Sequence, residues 1–90
     1  MSNKVFIAFQ DTEEARPIVE AIEQDNDNVV VDYQPAMVRI ESPNRLVIKR
    51  ETVESIVGRA WDLQEIHLSV ISLAGNLDED DDQFVLAWNL

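Results

Sequence analysis

Ninety residues with 46% hydrophobic content make one small globular domain, not a disordered chain. Eighteen acidic against seven basic residues give a formal charge of −11, a polyanionic surface that repels nucleic-acid phosphates and anionic lipid. The absence of cysteine excludes disulfides, thiolate nucleophiles and Cys-based metal sites, and fits a reducing cytoplasm.

Val5-Phe6-Ile7-Ala8-Phe9 is rich in aromatic and β-branched residues and predicts a buried strand. The run is too short for a signal-peptide core, and no apolar stretch approaches the eighteen or so residues that span a membrane. A cytoplasmic protein is expected. Ala15, Ile18, Val19 and Ile22 follow at helical spacing, with Glu20 and Glu23 on the opposite face. Pro17 belongs in the first turn, so the helix starts between Glu13 and Pro17 and ends near Gln24. Asp25-Asn26-Asp27-Asn28 is turn chemistry. Residues 29–33 and 37–41 predict a hairpin closed by Gln34-Pro35-Ala36.

The second half repeats the order. Leu46-Val47-Ile48 predicts a strand and residues 51–60 a helix, with Val53, Ile56, Val57 and Ala60 on one face. Gly58 inside it implies a close backbone contact or an early helix end. Residues 66–73 alternate apolar and polar at first and predict a strand. Residues 74–82 predict a loop and residues 84–88 a last strand. The expectation is an α+β fold of two β-α-β-β units, about 1–44 and 45–90, within one domain over 1–90. Each unit buries one sheet face under one helix.

Groups that do chemistry are scarce. His67 stands alone, without Cys or a second His to complete a zinc site. Asn76, Asp78, Asp80 and Asp82 alternate as in a calcium loop. Counted from Asn76, however, the sixth position is Asp81 instead of Gly and the twelfth is Ala87 instead of Glu. A solvated, mobile loop closing a hairpin is the expectation there. Asp62 and Glu65 fit a capped turn after Trp61 better than an acid–base pair. There is no Gly-rich phosphate loop. No catalytic residue, cofactor site or metal site is assigned.

A binding surface is what these residues can supply. Arg45, Lys49, Arg50 and Arg59 form a basic island, and Trp61 and Trp88 are two large aromatics. Trp and Arg dominate interface energetics. Trp88, ending a strand, reads as core; Trp61 reads equally as core or as anchor. The candidate partner-binding residues are Arg50, Glu54, Arg59, Trp61, Asp62 and Gln64, an aromatic with charges of both signs.

Several segments together carry a resemblance: Phe6-Ile7-Ala8-Phe9-Gln10, residues 16–22, Pro35-Ala36-Met37-Val38-Arg39-Ile40, Arg50-Glu51-Thr52-Val53, Gly58-Arg59-Ala60-Trp61-Asp62-Leu63-Gln64-Glu65, and Gly75-Asn76-Leu77-Asp78-Glu79-Asp80-Asp81-Asp82. The chain resembles, from end to end, the regulatory (effector or coupling) component of bacterial multicomponent phenol hydroxylases. The wider family includes the regulatory components of soluble methane and toluene monooxygenases. The resemblance implies a cofactorless, non-catalytic protein with two β-α-β-β motifs in a corner-like arrangement. It would bind a multi-subunit diiron hydroxylase, for which it would compete with the reductase component, and promote coupled hydroxylation of an aromatic substrate. Neither nucleic acid nor membrane is an implied partner. The residues alone also fit an acidic protein-binding module or a nucleic-acid mimic that inhibits another protein.

Overall fold

The computed structural model describes residues 4–88. The elements run β1 (Lys4–Gln10), α1 (Arg16–Asp25), β2 (Val30–Gln34), β3 (Met37–Pro43), β4 (Arg45–Lys49), α2 (Arg50–Val57), a 3₁₀ turn (Leu63–Glu65), α3 (Ile66–Ser69), β5 (Val70–Ala74), β6 (Asn76–Glu79) and β7 (Gln83–Ala87). The class is α+β, and the β-α-β-β order is present in both halves, with a 3₁₀ turn, a short second helix and one extra strand added in the second. A four-stranded sheet has the order β2-β3-β1-β5 and a three-stranded sheet the order β4-β7-β6. All pairings are antiparallel.

The alternation in β1 turns Val5, Ile7 and Phe9 to one face. Register places Ile7 opposite Ile40 and Phe9 opposite Val38, so both strands bury the same face. In the second sheet Leu46 faces Leu86 and Ile48 faces Phe84. The α1 stripe of Ile18, Val19, Ala21 and Ile22 joins these residues, with Val53, Trp61, Leu63 and Ile66, in one buried cluster. The helix begins at Arg16 with Pro17 in its first turn, as expected. The β2–β3 turn has Pro35 followed by Ala36 at φ 61, the type II pattern.

Three expectations change. Residues 66–69 are helical, not strand. The Asp62 cap starts a turn that continues into α3, and burial of Ile66 and Ser69 with exposure of His67 and Leu68 follows a helical spacing. Residues 76–79, expected in a loop, form β6 against β7 because the second sheet's other edge is available to them. Helix α2 ends at Val57, so Arg59 and Ala60 are exposed beyond it. Gly58 caps it at φ 74, its N–H donating to Glu54 O at 2.8 Å, the early end that its glycine allowed.

The two halves are interleaved. Strand β5 crosses back to pair with β1, and Gly75 then turns the chain into the second sheet. A Cβ on Gly75 would lie 3.0 Å from Leu86 Cγ and 3.0 Å from Val5 Cγ1, so only glycine lets the chain cross there.

Candidate functional site

The candidate residues lie along α2 and the segment that follows it. Arg50 opens the helix and its Nη2 is 3.1 Å from Asp82 Oδ1, while its backbone N–H donates to Asp82 O at 2.9 Å. Its Nε is 3.9 Å from Glu54 Oε1, beyond hydrogen-bonding range. One turn on, Glu54 Oε2 accepts the Trp61 backbone N–H at 2.9 Å. Arg59 is exposed and folds its guanidinium onto Ala60 O at 3.0 Å.

Asp62 and Gln64 are exposed and belong to a closed turn. Asp62 Oδ1 accepts from Gln64 N–H at 2.9 Å, and Glu65 Oε2 accepts from Asp62 N–H at 3.2 Å. This is the capped turn that the Asp62/Glu65 spacing suggested. It fixes the direction in which Leu63 enters the core.

Trp61 is 6% exposed, so it is core and groove wall together. On one side it borders a groove of about 490 Å³ with Pro17, Ile18, Val57 and Leu68, rimmed by Glu13, Glu14 and Arg59. On the other it borders a groove of about 560 Å³ with Arg50, Glu54, Asp62, Glu65 and Asp81. Leu68 is 79% exposed beside the first groove, an apolar side chain that a strand reading of residues 66–73 conceals. The first groove also takes in Gln10 and Thr12, so the first half of the chain contributes to this face.

The other residues singled out lie elsewhere. Trp88 is not core: it is 45% exposed, with Nε1 donating to Lys4 O at 2.8 Å. The reason is its place beyond the last paired residue of β7, after the continuously buried run of residues 84–87. Arg45 and Lys49 are exposed at the two ends of β4. His67 Nε2 sits 3.0 Å from both Glu79 carboxylate oxygens, and its ring is tilted against Phe84 at 6.1 Å.

The acidic run is held more firmly than its charge suggests. Asp80 Oδ1 accepts the Asp82 and Gln83 N–H groups at 2.8 and 2.9 Å, and Asp80 N–H donates to Gln83 O at 3.0 Å. The bond from Asp82 N–H, then that from Gln83, holds the Asp80 carboxyl below its ordinary range. With the Arg50–Asp82 pair, these bonds set a short turn between β6 and β7. Among the described residues no His, Cys, Asp and Glu side chains group as a metal site, and no helix is long and apolar enough to cross a membrane.

Around Trp61, the Glu54, Asp62 and Glu65 carboxylates are engaged in bonds that shape the backbone. The chain is 60% identical over 88 residues to the phenol 2-monooxygenase stimulatory component DmpM of Pseudomonas sp. (strain CF600), covering 98% of each. A chain in the structure of the phenol hydroxylase–regulatory protein complex superposes with a TM-score of 0.91 at 53% identity, over 96% of this chain and 99% of that one. The soluble methane monooxygenase regulatory protein B shares the fold, with a TM-score of 0.75 at 14% identity over 100% of this chain and 68% of that one. Residues 3–87 match the MmoB/DmpM family, and the chain belongs to it.

Proposed function

We propose that this chain is the stimulatory component of a cytoplasmic multicomponent phenol hydroxylase. It has no catalysis of its own; it binds the hydroxylase component and promotes coupled hydroxylation. The observation that carries this reading is the end-to-end identity with the Pseudomonas stimulatory component. The whole chain, 1–90, docks as one domain.

The docking face is that of α2 and the segment after it: Arg50, Arg59, Trp61, Asp62 and Gln64 make the contacts, and Glu54, bonded to the Trp61 N–H, shapes the segment that carries them. A standard interface takes about 800 Å² from each partner. That is roughly a seventh of the 5472 Å² this chain exposes, so one whole face is committed. The two grooves beside Trp61 support the choice, because they offer depth next to exposed Arg59, Asp62 and Gln64. Activation follows from a population shift: the free hydroxylase rarely adopts its active arrangement, and this protein binds that arrangement more tightly. A shift from 1% to 99% requires a preference of about 5.5 kcal/mol.

The test is titration into hydroxylase with reductase, NADH, oxygen and phenol. Turnover is expected to rise sharply with added protein, and Arg59→Ala and Trp61→Ala to weaken both the half-saturating concentration and the maximal rate. Trp61→Ala empties a buried site at a cost of about 3–5 kcal/mol, so its fold is checked by circular dichroism. Arg59→Ala leaves the core intact and decides if the other does not fold. Wild-type activation by folded variants moves the docking face to residues 10–16; no activation by the wild-type protein defeats the function itself.

A further inference from the structure

Seven positions separate Glu54 from Trp61, and a single carboxylate closes that distance. The helix stops at Val57, and residues 58–62 leave it without regular structure. Glu54 Oε2 reaches over the helix end and accepts the Trp61 N–H at 2.9 Å. Glu54 itself is only 33% exposed on its side chain, and its second oxygen makes no hydrogen bond to Arg50 at 3.9 Å. The carboxylate is therefore turned toward the backbone of its own chain. Trp61 is thereby fixed at both levels, its ring in the core and its amide on α2. Arg59 lies between these two constraints with its guanidinium exposed.

We propose that Glu54 is a positioning residue. It holds the 58–62 segment in the shape that docks and does not itself touch the hydroxylase. The inference rests on the docking face given above and sharpens it, since a charged residue on that face becomes a support for its neighbours.

The consequence is specific. A segment released from its anchor populates several conformers, of which only a fraction dock, and apparent affinity falls by that fraction. The bound complex is unchanged, so the maximal rate at saturation is unchanged too. A direct contact behaves otherwise, because its loss weakens the preference for the active hydroxylase and lowers the maximal rate as well.

Two variants separate these cases. Glu54→Gln keeps a side-chain oxygen that accepts the Trp61 N–H, removes the charge, and turns the second oxygen, 3.9 Å from Arg50 Nε, into an amide NH2. Glu54→Ala removes the acceptor, and alanine is at least as good a helix former as glutamate, so α2 is kept. Each is titrated into hydroxylase, and hydrogen exchange of the Trp61 amide is followed in the free protein. The Ala variant is expected to raise the half-saturating concentration about tenfold, which is about 1.4 kcal/mol, with maximal turnover intact and faster Trp61 exchange. The Gln variant is expected to stay within about twofold of wild type on every readout.

A Gln variant that keeps its Trp61 amide protected yet docks about tenfold more weakly makes Glu54 a direct charge contact and overturns the proposal. An Ala variant with rapid exchange and wild-type docking overturns it as well, by showing that the anchor is irrelevant to binding. Should Arg59→Ala also dock as wild type, the face itself is wrong. That failure is recognised separately, because the exchange result still reports whether Glu54 holds the segment.

Discussion

Asn26 ties the helix of the first half to the sheet of the second through its side-chain amide. It follows α1 in extended conformation, φ −130° and ψ 136°. Its side-chain amide then acts as a one-residue strand against β4. Oδ1 accepts the Val47 N–H at 2.9 Å, and Nδ2 donates to Val47 O at 2.8 Å and to Ile22 O at 2.9 Å. Strand β4 is the edge of its sheet, so these bonds occupy backbone groups that the ladder leaves unpaired. Asn26→Ala removes three hydrogen bonds, each worth about 1 kcal/mol net, in a partly buried site where water only partly replaces them. The expected loss is about 3 kcal/mol, a large share of the 5–15 kcal/mol typical of a domain. Urea unfolding measures it, and the thermal midpoint is expected to fall by roughly 12–24 °C. Asn26→Asp is the control. It keeps the acceptor but cannot donate, and it places a carboxylate against two carbonyl oxygens, so it is expected to be at least as unstable at neutral pH. It recovers in acid as the carboxyl regains a proton to donate. An alanine variant that loses less than about 1 kcal/mol, with an aspartate variant like wild type, shows that apolar packing alone joins α1 to β4.

Gly75→Ala combines a φ of +137° with a Cβ 3.0 Å from two buried side chains, and is expected to cost about 3 kcal/mol in urea; a loss within 1 kcal/mol contradicts the close packing at the crossing. Asp80 has its carboxyl held low by the Asp82 and Gln83 N–H groups. A lowered folded value means that its contribution is full above the ordinary 3.8 and is lost as pH falls through the lowered value. Asp80→Asn keeps the acceptor without the titration, so its thermal midpoint is expected to fall less steeply than wild type between about pH 5 and 2, and parallel profiles count against that account.

Local signals carried much of this fold. Period-two burial along β1, the helical stripe of α1 and the Pro35 turn depend on neighbours a few residues apart, and sequence displays those directly. The Asp62/Glu65 cap and the end of α2 at Gly58 are of the same kind, because each closes within four residues. Those signals also placed the candidate face on α2 and the segment beyond it. The empty chemical inventory pointed to a binding protein, and several short segments in fixed order pointed to the family.

Other features depend on partners that sequence does not put side by side. The alternation of residues 66–69 reads as strand, and the packing of Ile66 and Ser69 makes them helix instead. Strand β5 joins the first sheet because β1 offers it an edge some sixty residues earlier in the chain. Trp61 and Trp88 are the same residue type with opposite environments, one walled into the core and the other resting on Lys4 O, 84 positions away. Asn26 reads as turn chemistry until Val47 is brought beside it, and Glu54 reads as a surface charge until the chain returns its Trp61 amide. Hydrogen-bond direction and burial are set by which groups meet, and for these residues only the tertiary fold arranges the meeting.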